Sequence, residues 1–229
     1  MSSPSPVDAP EHVLQLLSQA HKLSLDQEAG LSNTDGAPRD AFNNLMLDKL
    51  IALDEDKCQF MYQLILSTGA TNIVEAGTSF GVSTVYLALG IAKTKAATGK
   101  QGIVIATEWE SEKAASARKF WKQCGEEVET QIDLRVGDLL ETLKTDLPEN
   151  ANQSPRLVWQ AVALPTLKTV QPKLKYGAVV LTDNTTKGAK GYADLLGYLR
   201  DPENGFRNMT LPFNGGFEMS VYQPKGKQA

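Results

Sequence analysis

The sequence predicts an α/β domain, doubly wound around a mainly parallel sheet, and three observations carry that reading. Short apolar runs around Ile73 and Val74, and near 103–107, 132–136 and 177–182, alternate with segments of helical periodicity near 82–94, 111–124, 160–171 and 188–200. Strands separated by helices lie parallel and leave helices on both faces of their sheet. The ending breaks the alternation: Phe206–Leu211, the turn signal Asn214-Gly215-Gly216 and Phe217–Tyr222 predict an antiparallel hairpin. At 229 residues, 41% hydrophobic and 22% charged, the chain is long enough for one sizeable core and too short for two ordinary domains.

Taken in order, residues 1–10 hold three prolines and three serines and predict a loose tail. Val13, Leu14, Leu16, Leu17, Ala20 and Leu23 recur at helical spacing between Glu11 and Leu25, predicting an accessory helix. A polar, mobile segment with Gly30, Asn33, Asp35, Gly36 and Pro38 follows it, and further helices are expected over 39–53 and 55–67. Residues 1–44 thus read as a tail with accessory helices, and 45–229 as a single globular unit. The lysines between Lys93 and Lys100 read as a solvated helix end and loop.

The most informative stretch is Asn72-Ile-Val-Glu-Ala-Gly77-Thr-Ser-Phe-Gly81-Val-Ser-Thr84, where two glycines sit at a strand-to-helix junction. Glycine tolerates positive φ and close backbone approach, and the amides of the following helix point into the crevice. The spacing is Gly-x-x-x-Gly, which speaks against the Gly-x-Gly-x-x-Gly turn of a nicotinamide-dependent oxidoreductase.

Bulk properties exclude other classes. A net charge of −4 argues against general nucleic-acid binding, which needs a concentrated positive surface. No apolar stretch approaches the roughly 20 residues that cross a bilayer, and Met1–Pro6 lacks a signal peptide's charged and apolar regions. No membrane association is expected, and the predicted location is cytoplasmic. Cys58 and Cys124 fall in helical patterns without metal-ligand spacing and read as buried thiols.

Glu75-Ala-Gly-Thr-Ser-Phe-Gly81 resembles motif I of class I S-adenosylmethionine-dependent methyltransferases. Ile103-Val-Ile-Ala-Thr-Glu108-Trp-Glu resembles their second strand with its ribose-binding acid, and Leu134-Arg-Val-Gly137-Asp138 their third strand and adenine-side loop. Leu164-Pro-Thr-Leu-Lys and the run from Pro172 to Asp183-Asn184 resemble small-molecule O-methyltransferases related to catechol and caffeoyl-coenzyme A enzymes. The match spans roughly 45–225. It implies a Rossmann-like, mainly parallel seven-stranded sheet with a C-terminal antiparallel hairpin, and a homodimer. It also implies S-adenosylmethionine as cofactor and O-methylation of a small-molecule hydroxyl.

On that resemblance Gly77 and Gly81 bring backbone against the methionine moiety and ribose, with Thr78, Ser79 and Ser83 nearby and Glu75 supporting the loop or the sulfonium. Glu108 accepts from the ribose hydroxyls. Trp109 lines the adenine slot or caps the structure, and Asp138, with the Leu139 amide, meets adenine or caps a helix. Trp159 completes the cofactor set.

In the metal-dependent branch an Asp after strand four joins an Asp-Asn pair after strand five. Asp183 and Asn184 supply the pair, two oxygen ligands suited to a divalent ion such as Mg2+, and Asp183 is the candidate catalytic residue. The first half is missing. Anchored on Trp159, the family pattern places Leu157 where the metal-binding Asp stands and Gln160 where the catalytic Lys stands. The segment 150–156 is polar and carries Pro155, a poor central strand. These losses motivate a second reading, a methyltransferase fold retained as a binding or dimerisation partner. His12 and His21 on the first helix read as surface residues, with His21 the alternative base.

Overall fold

The computed structural model describes residues 4–29, 49–148, 152–153 and 160–225. The expected helix over 39–48, the segment after Gly30, Leu157 and Trp159 lie outside them. Residues 49–53, which that helix was expected to include, are irregular.

Helix α1 spans Glu11–Ala29 and α2 spans Glu55–Thr68. Strand β1 (Asn72–Ala76) leads into α3 (Val82–Thr98), β2 (Ile103–Glu108) into α4 (Ser111–Cys124) and the short α5 (Glu126–Glu129). Strand β3 (Ile132–Val136) precedes α6 (Leu139–Thr142), and β4 is described over Asn152–Gln153. Then come α7 (Gln160–Val170), β5 (Val179–Asp183), α8 (Ala193–Arg200), β6 (Phe206–Leu211) and β7 (Phe217–Tyr222).

The strands form two ladders. One runs β3-β2-β1-β4, parallel throughout, with Val74 opposite Ile105 and Gln153. The other is β5-β7-β6, antiparallel, with Asp183 opposite Phe217. The expected single seven-stranded sheet is therefore divided between β4 and β5 among the described residues.

Helices cover both faces of the strands, because strand side chains alternate. Ile73, Val104, Ala106, Val179 and Leu181 pack with α1, α2, α3 and α4 in the largest apolar cluster. On the other face Val74 and Ile105 meet Leu143 and Val170, while Val180 meets α7 and α8 through Ala163, Leu167, Leu195 and Leu199. Each Val, Leu or Ile side chain among them taken fully from water contributes about 1.5–3 kcal/mol. Pro165 sits inside α7, and the helix expected from 188 starts at Ala193 after a run of turns.

Residues 4–10 are irregular, as a Pro/Ser-rich stretch should be, yet they are docked and not loose. Val7 is buried, the Asp8 amide donates to Tyr62 Oη at 3.3 Å, and the Asp8 carboxylate pairs with Lys93 at 2.9 Å. Val7, Ala9 and these polar contacts seat the segment over α2 and α3.

Candidate active site

The turn after β1 is organised from beneath by Glu75. A carboxylate in a buried strand is costly unless its oxygens are satisfied. Glu75 is fully buried, and it accepts from Thr78 Oγ1 at 3.0 Å, Ser83 Oγ at 2.6 Å and Thr84 Oγ1 at 2.6 Å. The carboxylate therefore ties the turn to the first residues of α3. Thr107 on β2 adds a second stitch: its hydroxyl accepts from the Gly77 amide at 3.1 Å and donates to the Glu75 carbonyl at 3.0 Å. Its carbonyl accepts from the Thr78 amide at 2.7 Å.

Held this way, the backbone reverses through three left-handed residues, Gly77 at φ 82°, Ser79 at φ 52° and Gly81 at φ 79°. Only Ser79 bears a side chain there, in a conformation that ordinary residues avoid. Gly81 is required for packing: the Trp121 indole occupies the space where its Cβ would stand, with Nε1 donating to the Gly81 carbonyl at 2.9 Å.

Glu108 closes the turn from the side. It ends β2 almost buried, and its carboxylate accepts from the Ser79 amide at 2.7 Å and the Glu110 amide at 2.9 Å. An ionised carboxylate offers about four lone-pair sites, so two stay open to a diol. Trp109, next in sequence, is 63% exposed and presents a broad aromatic surface beside it. The Gly137 amide donates to the Glu108 carbonyl at 2.9 Å, which brings the end of β3 alongside. Asp138 there caps α6, accepting from the Leu140 amide at 2.9 Å, and Leu139 is half-buried behind it. Acid, turn and aromatic surface thus gather at the carboxyl ends of β1, β2 and β3, and this arrangement fits a ligand with a diol and a flat base.

Beyond it lies a second cluster, where α2, the end of β5 and the β6–β7 turn meet. Asp183 Oδ1 accepts from Lys57 Nζ at 2.6 Å, and Asp183 Oδ2 accepts from Asn184 Nδ2 at 3.0 Å. Lys57 also pairs with Asp54 at 2.7 Å. Burial pulls the Lys57 ammonium down, but its hydrogen bonds to Asp183 and Asp54 outweigh that, and the net shift is upward. Asn184 is exposed at φ 56° and seats the β6–β7 turn, its Oδ1 lying where a Cβ on Gly215 would be. Phe60, Phe213 and Phe217 pack together beside the pair, with ring centroids 5.6–6.2 Å apart; Phe217 meets both others edge to face, and Phe60 and Phe213 are tilted.

Among the described residues Asp183 and Asn184 do not fit a divalent ion by themselves: a buried ammonium stands 2.6 Å from Asp183 Oδ1, and no three acidic, His or Cys side chains converge.

Lys57, Asp54, Thr84, Thr107 and Trp121 were not singled out by sequence. Lys57 carried a signal: it stands one turn before Met61 and two before Ile65 on the buried stripe of α2, where a lysine is out of place unless paired. His21 is not a surface residue; it is buried, with Nε2 2.9 Å from Tyr86 Oη. His12 is exposed.

A family model described as O-methyltransferase matches residues 40–157, just over half of the chain. The chain belongs to this O-methyltransferase family. Solved structures of low identity share its fold. Cofactor-bound Rv0187 from MTB superposes with TM-score 0.70 at 20% identity, over 94% of this chain and 92% of that one. An O-methyltransferase from Bacillus cereus in complex with SAH gives 0.66 at 18%, over 95% and 93%. TomG from Streptomyces achromogenes, an O-methyltransferase involved in tomaymycin synthesis and solved with SAM, gives 0.64 at 18%, over 95% and 92%. No curated protein matches the sequence. No helix among the described residues is long and apolar enough to cross a membrane.

Proposed function

We propose that this O-methyltransferase family member binds S-adenosylmethionine at the β1–α3 turn and methylates an oxygen of a small molecule held on the Asp183 side. The observation that carries the reading is Glu108, an almost buried acid at the end of β2 that already binds the Ser79 amide of the turn. It has the lone pairs and the position to accept from a ribose diol, with Trp109 offering its face to the base. The B. cereus and S. achromogenes enzymes of this fold hold SAH and SAM respectively.

Bound cofactor supplies an electrophilic methyl group on sulfur. What the chain supplies is placement. Glu75 and Thr107 fix the turn before ligand arrives, so little ordering entropy remains for binding. Asp183, half-buried at the end of β5, is the carboxylate positioned to accept a hydrogen bond from the acceptor hydroxyl. The three phenylalanines beside it favour an acceptor with a flat apolar body. The cluster of buried polar anchors favours an active enzyme over a fold kept only for assembly, since assembly alone does not require a satisfied acid inside the turn.

Calorimetry with the demethylated cofactor tests the reading. Wild-type protein binds it, and Glu108→Ala weakens binding by about 10- to 100-fold, the value of losing charged hydrogen bonds. Absence of binding at millimolar ligand overturns the proposal.

A further inference from the structure

Lys57 has a part in the acceptor site that neither the family pattern nor the glycine turn accounts for. Its side chain is 1% exposed, on the first turn of α2, yet it reaches the end of β5, 126 residues away in sequence. Nζ lies 2.6 Å from Asp183 Oδ1 and 2.7 Å from Asp54 Oδ2, and 6.0 Å from the centre of the Phe217 ring. Two carboxylates therefore converge on one buried cation. The second Asp183 oxygen is bound to the Asn184 amide, so the carboxylate is fixed at both ends.

We infer that the Lys57 ammonium is the resident cation of this acceptor site, doing the work of orienting Asp183 that a divalent ion would otherwise do. The inference rests on the reading of Asp183 as the acceptor-side carboxylate. Charge makes the two cations exclusive. Asp54 and Asp183 carry two negative charges, and Lys57 already neutralises one at contact distance. A divalent ion on Asp183 would have to share its ligand with a buried like charge. Two of the ammonium's three hydrogens have the carboxylates as partners, and Lys57 acts on the acceptor through Asp183 as a positioning residue. It also accounts for a chain that keeps Asp183-Asn184 while the family pattern, anchored on Trp159, puts Leu157 in register with the metal-binding Asp.

The test is a Mn2+ titration followed by electron paramagnetic resonance on chelator-treated full-length protein, with and without demethylated cofactor. Wild type holds no Mn2+ up to about 1 mM, the weak end of the range of ordinary oxygen-ligand sites. Lys57→Ala leaves two converging carboxylates without their cation and gains Mn2+ affinity by at least about tenfold, a gain that Asp183→Asn in the same background abolishes. A role in stability alone gives Lys57→Ala no such gain. Wild-type protein that binds Mn2+ through Asp183, or a Lys57→Ala protein that gains nothing, overturns the inference. If Lys57→Ala does not fold, Lys57→Gln takes its place in the same comparison, and wild-type binding alone remains decisive against it. Cofactor binding, measured in the same samples, is read separately: its absence in wild type defeats the functional reading, whereas the Mn2+ response bears on Lys57.

Discussion

The Trp121 indole donates to the Gly81 carbonyl at 2.9 Å, and its ring lies so close that a Cβ on Gly81 would stand 2.4 Å from Nε1. The glycine that begins α3 is thus fixed by packing as well as by its φ of 79°. Gly81→Ala is expected to cost about 2–4 kcal/mol, combining left-handed strain with overpacking against a buried ring. Urea unfolding measures it. Trp121→Phe in the Gly81→Ala background should recover part of the loss, because the smaller ring removes the overlap while the backbone strain remains.

Glu75 and Glu108 lie on neighbouring parallel strands, yet they should respond differently to substitution. Glu75→Leu leaves the hydroxyls of Thr78, Ser83 and Thr84 without their common acceptor in a buried setting, at a cost of about 2–4 kcal/mol. Its melting temperature and its affinity for demethylated cofactor should fall together. Glu108→Ala, at the strand end, should lower affinity with a much smaller change in melting temperature. Equal losses of stability in the two variants would contradict this division between a residue that holds the turn and one that meets the ligand.

The difference between those acids also marks how far sequence alone reaches. The alternation of strands and helices, the β6–β7 hairpin from Phe206 to Tyr222 and the turn from Glu75 to Ser83 were legible, because each is written in local periodicity or glycine placement. Lys57–Asp183 was not, because it joins residues 126 positions apart and no local pattern encodes such a pairing. Trp121 against Gly81 is hidden for the same reason. The docking of Val7 shows the converse: composition predicted a loose tail, and the burial of Val7 with the Asp8 contacts to Tyr62 and Lys93 overrode it.

Both thiols are predicted to be silent in the folded protein. Cys58 is fully buried, and Cys124, the last residue of α4, is buried too, which pushes its thiol up to about 11. Only the thiolate attacks, so at pH 8 Cys124 should react with a chromogenic disulfide far more slowly than an open cysteine of pKa about 8.5. Unfolding in guanidinium should release two equivalents at once. Fast, stoichiometric reaction in native buffer would contradict the burial.

Glu218 gives the fold an acid-sensitive contact. It is 1% exposed on β7, and it accepts from Arg200 Nε at 2.9 Å, Arg200 Nη2 at 3.0 Å and Thr210 Oγ1 at 2.5 Å. Burial pushes its carboxyl up, but the bonds from Arg200 and Thr210 outweigh that and hold it below the ordinary carboxylate range. A group with a depressed folded value contributes fully above its unfolded value, about 4.3, and loses that contribution as pH falls through the folded value. Urea midpoints should therefore drop below pH 4 in wild type and drop less in Glu218→Gln, which has no charge to lose. Arg200→Ala leaves the buried carboxylate with Thr210 as its remaining partner of the two and should cost about 1–3 kcal/mol at pH 7, discounted because Arg200 is half exposed. That penalty should shrink as Glu218 protonates, so the wild-type and Arg200→Ala curves converge in acid; curves that stay parallel would show that the ion pair is not the contact that titrates.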